Sequence, residues 1–117
     1  MKVFSLKSCD TCKKALKWLN EKGITSSVHD VRADGLSRED ATSIVNGLGW
    51  ESALNRRSTT WRGLSDDEKS DLDDAKAISL IVEHPTLMKR PVFVSGDDYL
   101  VGFDSKTQSE LETRSAG

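Results

Sequence analysis

The sequence predicts an α/β fold in which helices cover one mixed sheet, and three observations support this prediction. A strand, a helix and a second strand follow one another within residues 2–31, as in a βαβ unit with parallel strands. Residues 91–112 show a hairpin followed by a helix. The stretch between these two parts has helical patterns. The chain has 117 residues, which suffices for one core, so we expect a single domain over residues 1–117.

The first part of the chain begins with an apolar strand over residues 2–6. A helix is predicted over 10–22, because apolar residues recur there at helical spacing, and Gly23 suits the position just after it. The apolar residues of this helix are Cys12, Ala15, Leu16 and Leu19. Residues 26–31 are predicted to form the second strand.

The middle of the chain is predicted to be helical with one irregular stretch. Ser37 is a good N-cap for a helix to about residue 46, closed by Gly47 and Gly49. Residues 50–62 show no regular period, and Ser65 followed by acidic residues is typical of a helix start.

The remaining elements have clear local signals. Asp73 or Asp74 is predicted to cap a helix that Pro85 ends. Strands are predicted over 91–94 and 99–103, separated by a turn at 96–98. Residues 105–108 are predicted to form a capping box, with Ser105 as the N-cap, that opens a last helix to about residue 112.

Cys9 and Cys12 lie where the first strand turns into the first helix. The first turn of a helix has unpaired N–H groups and the positive end of the dipole, and both favour a thiolate over a thiol. We expect Cys9 to lie at or before the cap and to be the more exposed of the two. A Cys-x-x-Cys pair at the end of the first strand of a βαβ unit indicates a thioredoxin-like fold.

Composition excludes several classes of protein. The formal net charge is −2, so the basic surface of a nucleic-acid-binding protein is not expected. No apolar run approaches the roughly 18 residues of a membrane span, and no signal peptide is recognised. Two cysteines without an export signal predict a cytoplasmic protein, in which such a pair is catalytic or metal-binding more often than structural.

Six stretches together resemble the arsenate reductase-like (ArsC/Spx) family, and the YffB-type members most of all. They occur in family order and reach from residue 9 to residue 103. The stretches are CDTCKKA at 9–15, HDVRADGL at 29–36, GWE at 49–51, LNRRSTTWR at 54–62, KRP at 89–91 and VGF at 101–103.

The resemblance implies a thioredoxin fold with a helical insertion, and a thiol-dependent reductase with Cys9 as its nucleophile. It implies that Arg57 and Arg90 bind the anionic part of a substrate, and that the Arg90–Pro91 bond at the site is cis. Arg56 is the alternative to Arg57. No bound cofactor is expected, and glutathione or a glutaredoxin is the reductant that the resemblance implies.

Two departures from the family pattern bear on function. Arsenate reductases proper have a third arginine where this chain has Gly102 and Phe103, which puts arsenate as the natural substrate in question. Cys12 is shared with the Spx-type regulators rather than with many YffB-type members. The pair therefore predicts an alternative function, a redox-sensing regulator that binds RNA polymerase under the control of a Cys9–Cys12 disulfide.

Several residues have two interpretations. Cys12 is either a resolving thiol, one helical turn from Cys9, or a small core residue. Structural zinc would need His29 and His84 beside the cysteines, and these single, distant histidines make it the weaker hypothesis. Trp61 either lines the active-site cleft or, as we expect more, anchors the inserted helices in the core.

Overall fold

The computed structural model describes the backbone of residues 1–116 and the side chains of residues 1–113. It groups into two compact units, the first formed by Met1–Asp30 with the chain from Arg90 onward, the second by Val31–Lys89. The expected single domain stays a prediction. The elements are β1 (Lys2–Ser5), α1 (Asp10–Glu21), β2 (Ser27–Asp30), α2 (Arg38–Leu48), α3 (Trp50–Ala53), α4 (Thr59–Arg62), α5 (Asp66–Lys69), α6 (Asp74–Glu83), β3 (Val92–Ser95), β4 (Asp98–Val101) and α7 (Ser105–Ala116).

The first unit contains a four-stranded mixed sheet in the order β2-β1-β3-β4. Strands β1 and β2 are parallel, with Ser5 opposite Asp30. Strand β3 runs antiparallel to both β1 and β4. The predicted mixed sheet of an α/β, thioredoxin-like fold is therefore confirmed.

Helix α1 is amphipathic and buries one face in the core of the first unit. The five fully buried side chains of this core come from both parts of the chain that form the unit: Val3, Ala15, Leu19, Phe93 and Leu111. Trp18 extends the cluster, because its ring meets the Phe103 ring edge-on at 5.6 Å between centroids. Gly23 follows α1 with φ +71°, a left-handed conformation that is easiest for glycine and ends the helix as predicted.

The second unit is helical. Helix α2 packs on α6, and the side chains of Ala41, Ile44 and Val45 are buried. The caps are those predicted: Ser37 accepts from the Asp40 N–H, and Asp73 accepts from the Lys76 N–H at 2.8 Å. Ser65 opens α5 with a complete capping box. A 3₁₀ turn at Pro85–Leu87 follows α6.

Four details of the secondary-structure prediction were wrong. Residues 50–62 contain the one-turn helices α3 and α4, which are too short to show a period in the sequence; Ser58 caps the second of them. Gly47 lies inside α2 rather than closing it. Asp104 rather than Ser105 caps α7, because its carboxylate accepts both the N–H and the hydroxyl hydrogen of Thr107. That helix also continues beyond residue 112, to Ala116.

Candidate active site

A tight turn carries the chain from β1 into α1. The Cys9 N–H donates to the Leu6 carbonyl at 3.0 Å. Inside the turn, the Lys7 N–H donates to the Asp30 carboxylate at 2.9 Å. Asp30 is only 7% exposed and is the last residue of β2. The neighbouring parallel strand therefore helps to hold the loop that ends at Cys9.

Cys9 is the N-cap residue of α1, with extended backbone angles, and its carbonyl accepts the Lys13 N–H at 3.0 Å. Its thiol is half-buried and that of Cys12 is buried; neither is in a disulfide. The prediction that Cys9 lies at the cap and is the more exposed cysteine is confirmed. A sulfur at this place faces the free N–H groups of the first helical turn.

Opposing effects act on the pKa of Cys9. Burial raises it, whereas hydrogen bonds from the backbone and the thiol of Cys12 lower it. The positive charge of Arg90 and a hydrogen bond from its guanidinium lower it further. The lowering effects dominate, so the pKa of Cys9 is below its ordinary value and the fraction of reactive thiolate at neutral pH is increased.

Cys12 shows the opposite behaviour. Burial and its hydrogen bond to Cys9 raise the pKa of Cys12 to about 12, although a hydrogen bond with the backbone of Leu6 and the charge of Arg90 act the other way. In the reduced protein, Cys12 therefore stays a thiol, and its S–H donates a hydrogen bond to the Cys9 thiolate.

Arg90 reaches this site from a position two residues before β3. Its side chain is half-buried, and the Arg90–Pro91 peptide bond is cis, as the resemblance implied. Pro91 is buried, and its carbonyl accepts the Gly102 N–H at 2.9 Å. The first unit thus brings Arg90 against Cys9, while the substrate-binding roles of Arg90 and Pro91 stay predictions.

Arg57 and Arg56 lie in the second unit, in the loop before α4. Arg57 is exposed, and its backbone N–H donates to the Asn55 side-chain oxygen at 3.1 Å. The Arg56 guanidinium lies over the Trp50 ring, 5.8 Å from its centroid. A place for Arg57 at the substrate site stays a prediction.

The histidines considered as zinc ligands have other neighbours. His29 meets the Phe4 ring edge-on, with 5.3 Å between centroids. His84 lies 3.7 Å from a Glu68 oxygen and, with Glu83, forms the group of metal-ligating side chains found among residues 1–113. That group contains neither Cys9 nor Cys12.

Asp30 is a site residue that the sequence reasoning missed. The available signal was its place at the end of a strand parallel to β1, since parallel strands bring their carboxyl ends to the same edge of a sheet.

Trp61 is half-buried within the second unit, with the Lys69 ammonium 5.7 Å from its ring centre.

The pattern of the family described as ArsC matches residues 4–111. The chain belongs to the ArsC family. A Haemophilus influenzae protein of uncharacterised function is 44% identical over 104 residues, covering 89% of this chain and 91% of that protein. The solved structure of the YFFB (PA3664) protein is 40% identical, with a TM-score of 0.88 and coverage of 93% of this chain and 96% of that chain.

The global transcriptional regulator Spx of Streptococcus mutans is also similar, with 29% identity over 104 residues. The match covers 87% of this chain and 75% of that regulator. Membership of the ArsC family, together with the thiol pair, supports a thiol-based redox role.

None of the helices in residues 1–116 combines the length and the apolar character that crossing a bilayer requires.

Proposed function

We propose that this member of the ArsC family is a thiol-dependent reductase that uses Cys9 as its nucleophile. The observation that carries the proposal is a half-buried thiol at the N-terminus of α1 whose pKa is lowered by Cys12 and by Arg90. Activated cysteines of enzymes occur in such surroundings, whereas structural cysteines are buried and inert.

The first step is the attack of the Cys9 thiolate on a sulfur of a small disulfide. A bond forms between the Cys9 sulfur and that sulfur, the disulfide bond of the substrate breaks, and one half leaves as a thiolate. The Arg90 guanidinium attracts the anionic substrate and presents donors to a carboxylate or an oxyanion near the reacting sulfur.

A second thiol then releases the covalent adduct. Glutathione or a glutaredoxin can attack the mixed disulfide, and a further thiol completes the two-electron reduction, with glutathione disulfide as the oxidised product. Cys12 is the internal alternative. Once Cys9 is bonded and uncharged, the charge and the hydrogen bond that help raise the pKa of Cys12 disappear, so its proton can pass to the solvent before it attacks Cys9.

The residues around the site bear on the choice of substrate. Phe103, in the stretch Gly102–Phe103 where the resemblance implies that arsenate reductases proper have an arginine, contacts the Trp18 and Phe93 rings. The described site of the first unit thus offers Arg90 for an anion but no second cation from that strand end. We propose a small anionic disulfide as the substrate, with Arg90 as the cation that binds it.

Turnover assays with single-cysteine variants test the proposal. The purified chain is given glutathione and a small disulfide, and separately arsenate, and oxidised glutathione is measured. We expect turnover of the disulfide and its loss in Cys9→Ser. Cys12→Ser keeps turnover if glutathione resolves the adduct and loses it if Cys12 does. Ser8→Ala, a neighbouring exposed position, serves as the control. Absence of turnover in the wild-type chain with both substrates would overturn the proposal.

A redox-sensing regulator is the second candidate, favoured by the Spx relative and by the Cys9–Cys12 spacing. Under this function, oxidation joins the two cysteines and changes affinity for RNA polymerase. Binding of the reduced and oxidised chains to purified polymerase distinguishes the candidates. A regulator binds in a manner that depends on oxidation and on both cysteines, and it shows no glutathione turnover.

A further inference from the structure

We propose that Asp30 is a positioning residue that sets the Cys9 turn for the reaction, an inference that rests on the proposed function. The turn between β1 and α1 is closed by the Cys9 N–H and the Leu6 carbonyl. The Lys7 N–H lies inside this turn, between the two bonded residues. The Asp30 carboxylate accepts it at 2.9 Å.

The Asp30 carboxylate that accepts the Lys7 N–H is buried in the sheet, whereas the turn that it contacts is exposed. Asp30 is 7% exposed and lies opposite Ser5, itself 3% exposed, in the register of β1 and β2. A carboxylate in such a place is costly unless it accepts hydrogen bonds. Lys7 and Ser8, by contrast, are exposed, so packing of their side chains does little to hold the turn. The bond from Asp30 is thus a contact that ties the exposed part of the turn to the sheet.

The position of the turn determines what the Cys9 sulfur can contact. The thiolate depends on hydrogen bonds from the Cys12 backbone and thiol and from Arg90. Hydrogen bonds weaken steeply when distance or angle departs from the best geometry. If the turn loosens, the Cys9 thiolate loses part of its hydrogen bonding, even though Cys12 and Arg90 are still present in the protein.

Two variants of Asp30 distinguish the effect of its hydrogen bond to Lys7 from the effect of its charge. Asp30→Asn removes the negative charge but keeps a carbonyl oxygen that can accept the Lys7 N–H. Asp30→Ala removes the acceptor as well. Loss of a nearby negative charge alone favours a thiolate, whereas loss of position disfavours it. We therefore expect the pKa of Cys9 to be unchanged or lower in Asp30→Asn and higher in Asp30→Ala.

The pKa of Cys9 is measured from the rate of alkylation against pH, with mass spectrometry to locate the label, in parallel with glutathione-dependent turnover. Turnover is expected to fall at least about fivefold in Asp30→Ala and to stay within about twofold in Asp30→Asn. Asp104→Ala is the control, since it also removes an aspartate that accepts a backbone N–H in the first unit but lies at α7. Equal effects of Asp30→Ala and Asp104→Ala on both readouts would reduce Asp30 to an ordinary structural residue.

Two control measurements distinguish a variant that does not fold from a failure of the proposed function. If Asp30→Ala does not fold, hydrogen exchange of the Lys7 amide in wild type and Asp30→Asn decides: we expect protection well above that of Ser8 in both. An unprotected Lys7 amide in wild type overturns the positioning role. If wild-type Cys9 titrates like a free thiol, the proposed reductase fails instead, whatever the Lys7 amide shows.

Discussion

Replacement of Arg90 by alanine should raise the pKa of Cys9 and slow its reactions near neutral pH. Arg90 contributes both a positive charge and a hydrogen bond to the Cys9 thiolate. Alanine removes both, while the hydrogen bonds from Cys12 remain. The thiolate becomes less stable relative to the thiol, so a higher pH is required to form it.

The expected magnitude follows from the charge that is lost. Two unit charges about 4 Å apart interact by about 1 kcal/mol in a medium like bulk water, and more strongly where burial reduces the dielectric constant. Because Cys9 is half-buried, the water-like figure is the conservative one. A loss of about 1 kcal/mol corresponds to a roughly fivefold smaller ratio of thiolate to thiol at a given pH below the pKa.

Iodoacetamide alkylation between pH 5 and pH 10 gives the complete titration curve for wild type, Arg90→Ala and Arg90→Lys. Lysine keeps the charge but not the planar fork, so its curve should lie between the other two. Lys89→Ala removes an exposed positive charge one residue away and should leave the curve in place. Coincident curves for wild type and Arg90→Ala would refute the idea that Arg90 activates Cys9.

Two further predictions concern the same unit. At pH 8, brief alkylation should mark Cys9 before Cys12 in peptide mass spectra, because with both thiols free Cys12 is buried and its pKa is raised to about 12. Equal labelling of both from the first time point would contradict the asymmetric pair. Leu19→Ala should reduce the free energy of unfolding by about 2–5 kcal/mol in urea titrations, because the side chain is fully buried. The exposed Lys17→Ala on the same helix should stay within about 0.5 kcal/mol.

Local signals in the sequence were sufficient for most of the fold. The apolar face of α1, the cap at Ser37 and the stop after α6 depend on residues three or four positions apart, which a sequence shows directly. The one-turn helices α3 and α4 contain four residues each, too few for a period to appear. At α7, Asp104 and Ser105 are adjacent candidates for the cap, and only the geometry of the Thr107 contact selects the aspartate.

The candidate active site also combines features that the sequence predicts with features that only the tertiary structure decides. Residue spacing alone placed Cys9 at a helix N-terminus and Cys12 one turn further along the apolar face, because helix geometry links neighbours in sequence to neighbours in space. Long-range pairing brought Arg90 to Cys9 and the Asp30 carboxylate to the Lys7 amide, across 81 and 23 positions of the chain respectively.

The sequence by itself therefore determined which cysteine lies at the N-terminus of a helix. Tertiary structure decided which charges surround that sulfur, since β2 and β3 flank β1 in the sheet and bring Asp30 and Arg90 from distant parts of the chain. A thiol's acidity depends on every charge and donor within a few ångströms, and contacts at that range across a sheet are formed only when the strands pair.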